Sequence, residues 1–430
     1  MTAGIACGLF ILEEVSPTAM TDGPQNAEVH PPEEAPPEQK ANTRRTMSRK
    51  TESTIERETA VRGLENVVAG DTRICTVDGG SGSLIYCGYE IRELAAQASF
   101  GEAVYLLWHG ELPTEAELDT FRARLVGEMR LPSQVIEMIK LSPPSAHPMD
   151  LLRTAVSALA MYDPEAEDRS SEACERKAVR LLAQTITIVA DMHRVRHRLP
   201  VLSADLDMSF GANFLYMLRG KLPTEEEIAA FELLLMLHLE HGFNASTFAA
   251  RVTASTLSNM HAALTSGLGT LKGRLHGGAN ERALNIFSKV DGIEEIEDYI
   301  DGMLNEGKRV MGFGHRVYKV EDPRARLLRS HSQTLCARAD MAELSAIATR
   351  VEQVVLDRKG IYPNVDFYSA IVQHALGIPK SYFTAIFACA RTAGWLAHIR
   401  EQYADNRLIR PTSNYTGPIG KTARPIEERS

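Results

Sequence analysis

Four short segments in the second half of the 430-residue chain combine turn-forming and titratable residues: LEHGFNASTF (239–248), LHGGANE (275–281), MGFGHRVYK with DPR (311–324) and PNVDFYS (363–369). In the second, His276 precedes Gly277 and Gly278 at a break in helical pattern. Paired glycines permit positive φ and close approach of backbone to a ligand. The same pattern also describes an exposed histidine after a helix C-cap, and spacing does not separate the two. In the third, glycines flank Phe313 and precede His315, which suggests a backbone loop against a ligand. It lacks the third glycine and the strand-to-helix setting of a dinucleotide fingerprint. In the fourth, Asp366 lies between Val365 and Phe367. It reads as a helix N-cap or as a desolvated base of raised pKa, and the segment taken alone favours the cap.

Other chemistries fit less well. His193 and His197 share a helix face, but MHRVRHRL is crowded with cations and no carboxylate completes a metal set. His238 and His241 are three apart, without H-E-x-x-H spacing. There is no G-x-S-x-G elbow. Gly417 to Thr422 resembles the end of a phosphate loop, yet the interval between its glycines is too short to cradle phosphates. No metal site is expected.

The elements that must position these groups are mostly helical. Hydrophobic residues are 44% of the chain and charged residues 24%, the mix of a globular protein, and only 6% are aromatic. Ala and Leu abound, which favours helices. Thr224 and Glu227 form a capping box before IAAFELLLMLHLEH, which is apolar on nearly every side and reads as a buried central helix. Pro148 opens a helix over MDLLRTAVSALAMY, Glu115–Met129 is amphipathic with Leu118, Phe121 and Leu125 on one face, and Tyr382–Gln402 is a further long helix. Two β-type runs, Arg73–Val77 and Ser83–Cys87, flank a Gly/Ser turn as in a hairpin. The fold class is mainly α with a small hairpin near the start of the folded region. Residues 1–58 include a Pro/Glu/Ser/Thr-rich stretch and are expected to be a disordered extension. The net charge of −9, without a basic run, argues against nucleic acid and anionic membranes. No apolar run is long enough to span a bilayer. Six scattered cysteines without C-x-x-C fit a reduced, cytoplasmic protein.

Taken together and in order, the segments resemble the citrate synthase family. GLENVVAG, GSLIYCGYEIRELA, LLWHGELPT, AHPMDLLRTAVSALA, FNASTFAARV, LKGRLHGGANE, MGFGHRVYKVEDPRAR, PNVDFYSA, RTAGWLAHIREQ and NRLIRPTSNYTGP carry the likeness over roughly 63–418. It implies a two-domain multihelical fold. Residues 59–275 with 373–430 would form the large domain and 276–372 the small one, with the site between them. It implies a homodimer condensing acetyl-CoA with oxaloacetate to citrate and CoA. Carried over by position, Asp366 would take a methyl proton, His276 would hydrogen-bond the thioester oxygen, and His315 would polarise the ketone. His241, Arg324, Arg391 and Arg410 fall at oxaloacetate-binding positions, Arg410 reaching the other subunit. For CoA, Val310, Met311, Gly312, Phe313 and Gly314 resemble the adenine-recognising loop, and Lys272, Arg316 and Lys319 are candidate phosphate partners. No cofactor beyond the co-substrate acetyl-CoA is implied.

Two positions depart from the family pattern. Gly242 follows His241 where a glutamate is usual, removing a carboxylate that would orient the imidazole, and Arg274 stands where proline usually precedes LHGG. The alternatives are a 2-methylcitrate synthase using propionyl-CoA and a non-catalytic homologue.

Overall fold

The computed structural model describes residues 60–290, 292–338 and 341–429, so the extension expected at 1–58 lies outside the described residues. The expected hairpin is a three-stranded antiparallel meander: β1 (Cys75–Asp78), β2 (Ser83–Tyr86) and β3 (Tyr89–Glu90), in that order. Cys75 pairs with Tyr86 and Asp78 with Ser83. The first strand starts later than Arg73, whose N–H donates to Glu401 at 2.9 Å instead of to the ladder; at its other end Asp78 sets the turn, its carboxylate accepting the Gly80 N–H at 2.8 Å and the Ser81 hydroxyl at 2.7 Å. The third strand has two residues, too few to show an alternating pattern in sequence.

Helices α1 (Ile91–Gln97), α2 (Phe100–His109), α3 (Glu115–Gly127), α4 (Ser133–Leu141), α5 (Pro148–Leu159) and α6 (Ser171–Arg196) follow. Next come α7 (Phe210–Arg219), α8 (Glu225–His238), α9 (Ala245–Ser255), α10 (Met260–Leu271) and the short α11 (Ala279–Ala283). Then α12 (Ile296–Asn305), α13 (Pro323–Arg338), α14 (Ala342–Lys359), α15 (Val365–Ala375) and α16 (Phe383–Ala404) complete the set. Proline stands at N1 of α5, as its fixed φ favours, and Phe121 and Leu125 are the buried face of α3. The capping box at α8 is formed: the Thr224 N–H donates to Glu227 at 2.9 Å, and the Glu227 N–H donates to the Thr224 hydroxyl at 3.3 Å. From Ala230 the helix enters the interior, and Phe231 and Leu233 through His238 are all buried.

The core is organised around α16. Its residues Phe383–Ile399 are all buried, and it packs on α2, α5, α6, α8, α9 and α10. Each Leu, Phe or Ile fully removed from water there contributes on the order of 1.5–3 kcal/mol. Arg391 is the single cation in that buried stretch. A second layer, α12 to α15, joins the rest through α13 and α15 against α8. The segment after α8 meets the loop preceding α13, where His241 lies beside His315 and Tyr318. Among the described residues no helix is long and apolar enough to cross a membrane.

The capping box should be worth measuring by itself. Thr224→Ala removes one half of it and is expected to destabilise the protein by about 1 kcal/mol, read as a lower urea midpoint than that of the parent.

Candidate active site

His315 lies in the loop between α12 and α13. Its Nδ1 accepts two backbone N–H groups, from Val317 at 3.0 Å and Tyr318 at 3.1 Å. Two donors on one ring nitrogen fix the tautomer, so the proton is on Nε2. Burial pushes the imidazole pKa down to about 4; the Arg324 charge pushes the same way, and Asp322 only partly opposes it. His315 is therefore a neutral N–H donor at physiological pH. The turn between β1 and β2 braces this loop, with the Lys319 N–H donating to the Gly79 carbonyl at 2.8 Å.

The segment before His315 is stitched to PNVDFYS. Gly314 N–H donates to Tyr362 O at 2.9 Å, Asn364 N–H to Gly312 O at 2.9 Å, and the Asn364 amide to Gly314 O at 2.8 Å. Gly312 has φ 86°, and a Cβ there would lie 2.9 Å from the Phe367 Cβ, so both conformation and contact demand glycine. Phe313 packs on Phe367 with ring centroids 4.8 Å apart. Val310 is buried, and Met311 and Phe313 are half-buried.

Asp366 is not the helix cap. Asn364 is, its side chain accepting the Asp366 N–H at 3.0 Å. This is the correction to the reading of PNVDFYS taken alone: with the cap already supplied, the Asp366 carboxyl is spare. Its Oδ1 is out of contact with solvent and has no hydrogen-bond partner. Burial raises its pKa to about 6, with Asp322 adding to the rise while Arg324 and Arg391 oppose it.

His276 sits in the turn between α10 and α11, half-buried rather than exposed. Its Nε2 is 2.8 Å from the hydroxyl of Ser246, the second residue of α9. That hydroxyl also accepts the Trp395 indole N–H at 3.2 Å and lies 2.8 Å from Asn244 Oδ1. Asn244, the α9 cap, already receives backbone N–H groups from Ser246 and Thr247. The hydroxyl donates to Asn244 Oδ1, which can only accept, and His276 Nε2–H then donates to the hydroxyl; rotating that proton onto His276 Nε2 instead leaves Nδ1–H for a ligand. Burial, reinforced by the Arg391 charge, lowers the His276 pKa to about 4.

Two buried guanidinium groups tie these residues together. Arg324 is clamped by Asp322 through Nε at 3.0 Å and Nη2 at 2.8 Å, which leaves Nη1. Arg391 donates Nε to the His238 carbonyl at 2.7 Å, and its guanidinium carbon lies 4.9 Å from the Phe387 ring. The positive charge of Arg324 acts on His241, His315 and Asp366; that of Arg391 acts on His241, His276 and Asp366. His241 and His315 rings are 5.2 Å apart. The missing carboxylate at Gly242 does not leave His241 loose: its Nε2 is 3.2 Å from the Tyr318 hydroxyl. Burial, then Arg324, holds its pKa well below the usual histidine range.

The remaining candidates are peripheral. The Lys272 ammonium is held by both carboxylate oxygens of Asp150, at 2.7 and 2.6 Å. Arg316 is exposed with Nη2 3.8 Å from Glu65, and Lys319 is exposed. Arg410 is exposed in the non-helical tail after α16. The His193 and His197 rings are tilted against each other with centroids 4.3 Å apart, and His193 also meets the Tyr382 ring.

The sequence model described as "Citrate synthase, C-terminal domain" matches residues 63–412. The chain belongs to the citrate synthase family. It is 44% identical to "Citrate synthase 2" of Bacillus subtilis over 86% of this chain and 100% of that protein. It is 40% identical to the "Citrate/2-methylcitrate synthase" of the same organism, over 84% and 97% respectively. Among solved structures, the Thermoplasma acidophilum citrate synthase in ternary complex with carboxymethyl coenzyme A and oxaloacetate superposes with a TM-score of 0.82. That match is 34% identical and covers 87% of this chain and 100% of that one.

For a member of this family, sequence reasoning missed the groups that orient the imidazoles. Ser246 and Tyr318 lie inside the motifs already singled out, in FNASTF and in HRVYK three residues after His315. Asp322, the counter-ion of Arg324, is the first residue of DPR. Their roles need distances that no motif contains.

Asp366 yields a prediction that does not depend on activity. Its folded pKa, about 6, exceeds the ordinary 3.8, so the native state binds its proton more tightly than the unfolded chain. The wild type then loses stability as pH rises through that window, whereas an amide has no charge to bury. Asp366→Asn should melt higher than wild type above pH 6.5, with the difference shrinking to nothing near pH 4. Equal melting temperatures across the range would contradict the desolvated carboxylate.

Proposed function

We propose that the chain condenses acetyl-CoA with oxaloacetate and hydrolyses the citryl thioester, releasing citrate and CoA. The supporting observation is a carboxyl at Asp366 with one oxygen buried and unpartnered, sharing the fields of two buried guanidinium groups with two neutral imidazoles. In this reading Asp366 removes a methyl proton from acetyl-CoA. Nδ1–H of His276 donates to the thioester oxygen and stabilises the enol or enolate. Nε2–H of His315 polarises the ketone of oxaloacetate, and the enol carbon forms the new C–C bond there. Water then adds to the citryl thioester and CoA leaves as the thiol. Neutral imidazoles suit this, because they stabilise developing negative charge without giving up a full proton.

Oxaloacetate carries two carboxylates, for which guanidinium forks are the natural partners. Arg391 and the Nη1 edge of Arg324 would take them beside His241. Arg410 would be supplied by a second subunit, which gives a homodimer. Support for that lies in the exposure of Arg410 and of Leu408, Tyr415, Ile419 and Ile426 along the same tail. The loop Val310–Gly314 with Lys272, Arg316 and Lys319 would take CoA, Lys272 by exchanging Asp150 for phosphate. Residues 276–372 would act as the small domain closing on the rest. The chemistry calls for no metal or redox group, and we place the enzyme in the cytoplasm.

Propionyl-CoA is the alternative acyl donor, a reading favoured by the kinship with a citrate/2-methylcitrate synthase. One methylene is worth about 10- to 200-fold in discrimination. CoA release with oxaloacetate and each thioester decides between them, acetyl-CoA being expected to give the larger kcat/KM. Absence of CoA release from folded protein with either donor would point to the non-catalytic homologue. Asp366→Asn and His276→Ala should each lower kcat by about 10²- to 10⁴-fold, with the fold intact by circular dichroism.

A mixture of His276→Ala and Arg410→Ala subunits provides the test of the shared site. Neither is expected to turn over alone, and mixed dimers should recover a fraction of wild-type rate. No recovery after verified subunit exchange would place Arg410 in its own subunit's site or outside both.

A further inference from the structure

Tyr318 touches His241, His315 and Arg324, and the reaction as described gives it no part. Its backbone N–H donates to His315 Nδ1 at 3.1 Å, beside that of Val317 at 3.0 Å. Its hydroxyl lies 3.2 Å from His241 Nε2. Its ring centroid is 4.7 Å from that of His315 and 5.5 Å from that of His241, and the Arg324 guanidinium carbon lies 5.9 Å from it. The residue is 4% exposed. The chain around it has little room to move. The Lys319 N–H is held by the Gly79 carbonyl, and a Cβ at Gly79 would collide with the Val317 carbonyl, so the turn of the meander lies directly against the residues on either side of Tyr318.

The direction of the contact with His241 follows from counting protons. Burial keeps His241 neutral, with one N–H and one acceptor nitrogen. Burial also keeps the Tyr318 phenol protonated. Among the described residues its hydroxyl has no hydrogen-bond partner other than His241 Nε2. With the imidazole proton on Nε2, the ring would donate to the phenol oxygen and leave a buried O–H without an acceptor, which is unfavourable. The opposite arrangement satisfies both groups. The phenol donates, Nε2 accepts, and the imidazole proton sits on Nδ1.

We propose that Tyr318 is a positioning residue that fixes the tautomers of two histidines at once, its N–H committing His315 Nδ1 and its hydroxyl committing His241 Nε2, so that His315 Nε2–H and His241 Nδ1–H are the donors offered to oxaloacetate. This rests on the assignment of His241 and His315 as groups that meet oxaloacetate. The two commitments can be separated, because the first belongs to the backbone and survives loss of the hydroxyl that makes the second.

Tyr318→Phe deletes that hydroxyl alone. Apparent affinity falls with the fraction of protein in the competent state. The KM for oxaloacetate should therefore rise about three- to tenfold, with kcat within about twofold and the KM for acetyl-CoA unchanged. In a His241→Gln background the same substitution should add no further loss, since the hydroxyl acts through that ring. Nitrogen NMR shifts of histidine-labelled protein read the tautomers directly, the signals being assigned by their loss in His241→Gln and His315→Gln. Wild type should show a protonated Nδ1 on His241, and Tyr318→Phe should move that proton wholly or partly to Nε2 while His315 keeps Nε2–H. Calorimetric titration with oxaloacetate gives the affinity without turnover. An inactive wild type whose oxaloacetate affinity drops in Tyr318→Phe would sink the catalytic reading and uphold this one; an active wild type with the same affinity in both would do the reverse. A protonated Nε2 on His241 in the wild type overturns the proposal whether or not the variant folds, as does equal weakening of both substrates in Tyr318→Phe.

Discussion

Arg391 sits buried in the middle of α16 with no carboxylate in ion-pair contact among the described residues, and much of the site's behaviour follows from that charge. A cation removed from water and left without a contact partner carries a substantial desolvation penalty. Here the penalty is spread over a carbonyl, an aromatic face and a carboxylate at a distance. The interior therefore stays electropositive. Burial keeps His276 and His241 neutral, and that field adds to the effect while it restrains the rise of the Asp366 pKa.

Arg324 presents the contrast. It is neutralised by Asp322 through two hydrogen bonds, and Asp322 in turn accepts the Val365 N–H at 3.2 Å. One ion pair thus anchors the start of α13 to the start of α15, next to Asp366. Arg324 is as much a structural joint as a charge, whereas Arg391 is held by packing and a carbonyl. The difference explains why the two guanidinium groups, buried alike, have pKa values displaced in opposite directions.

The imidazoles obey a common rule. In His315 and His276 one ring nitrogen is committed to a protein partner and the other is left over: His315 to two backbone N–H groups and His276 to a serine hydroxyl. A neutral imidazole offers one donor and one acceptor, so committing one nitrogen decides the role of the other. The scaffold sets this role through helix starts and turns, where backbone N–H groups are free to donate.

Residue types and local spacing determined a good deal. Apolar periodicity and capping chemistry placed α3, α5, α8 and α16, because helix formation is governed by neighbours three and four residues away. The two-residue strand β3 was not legible, because nothing repeats within two residues. Glycine beside histidine marked the loops at 276 and 312–315, but could not say whether they face a ligand or solvent. PNVDFYS was ambiguous for a related reason: a carboxylate near a helix start can cap it, and only the position of Asn364 showed that Asp366 was free. Tautomers and the setting of Arg391 depend on residues far apart in sequence, Arg391 and the His238 carbonyl being separated by 153 positions. Such pairings depend on how α8, α9 and α16 cross, and burial, which shifts every pKa in the cleft, exists only once they have packed.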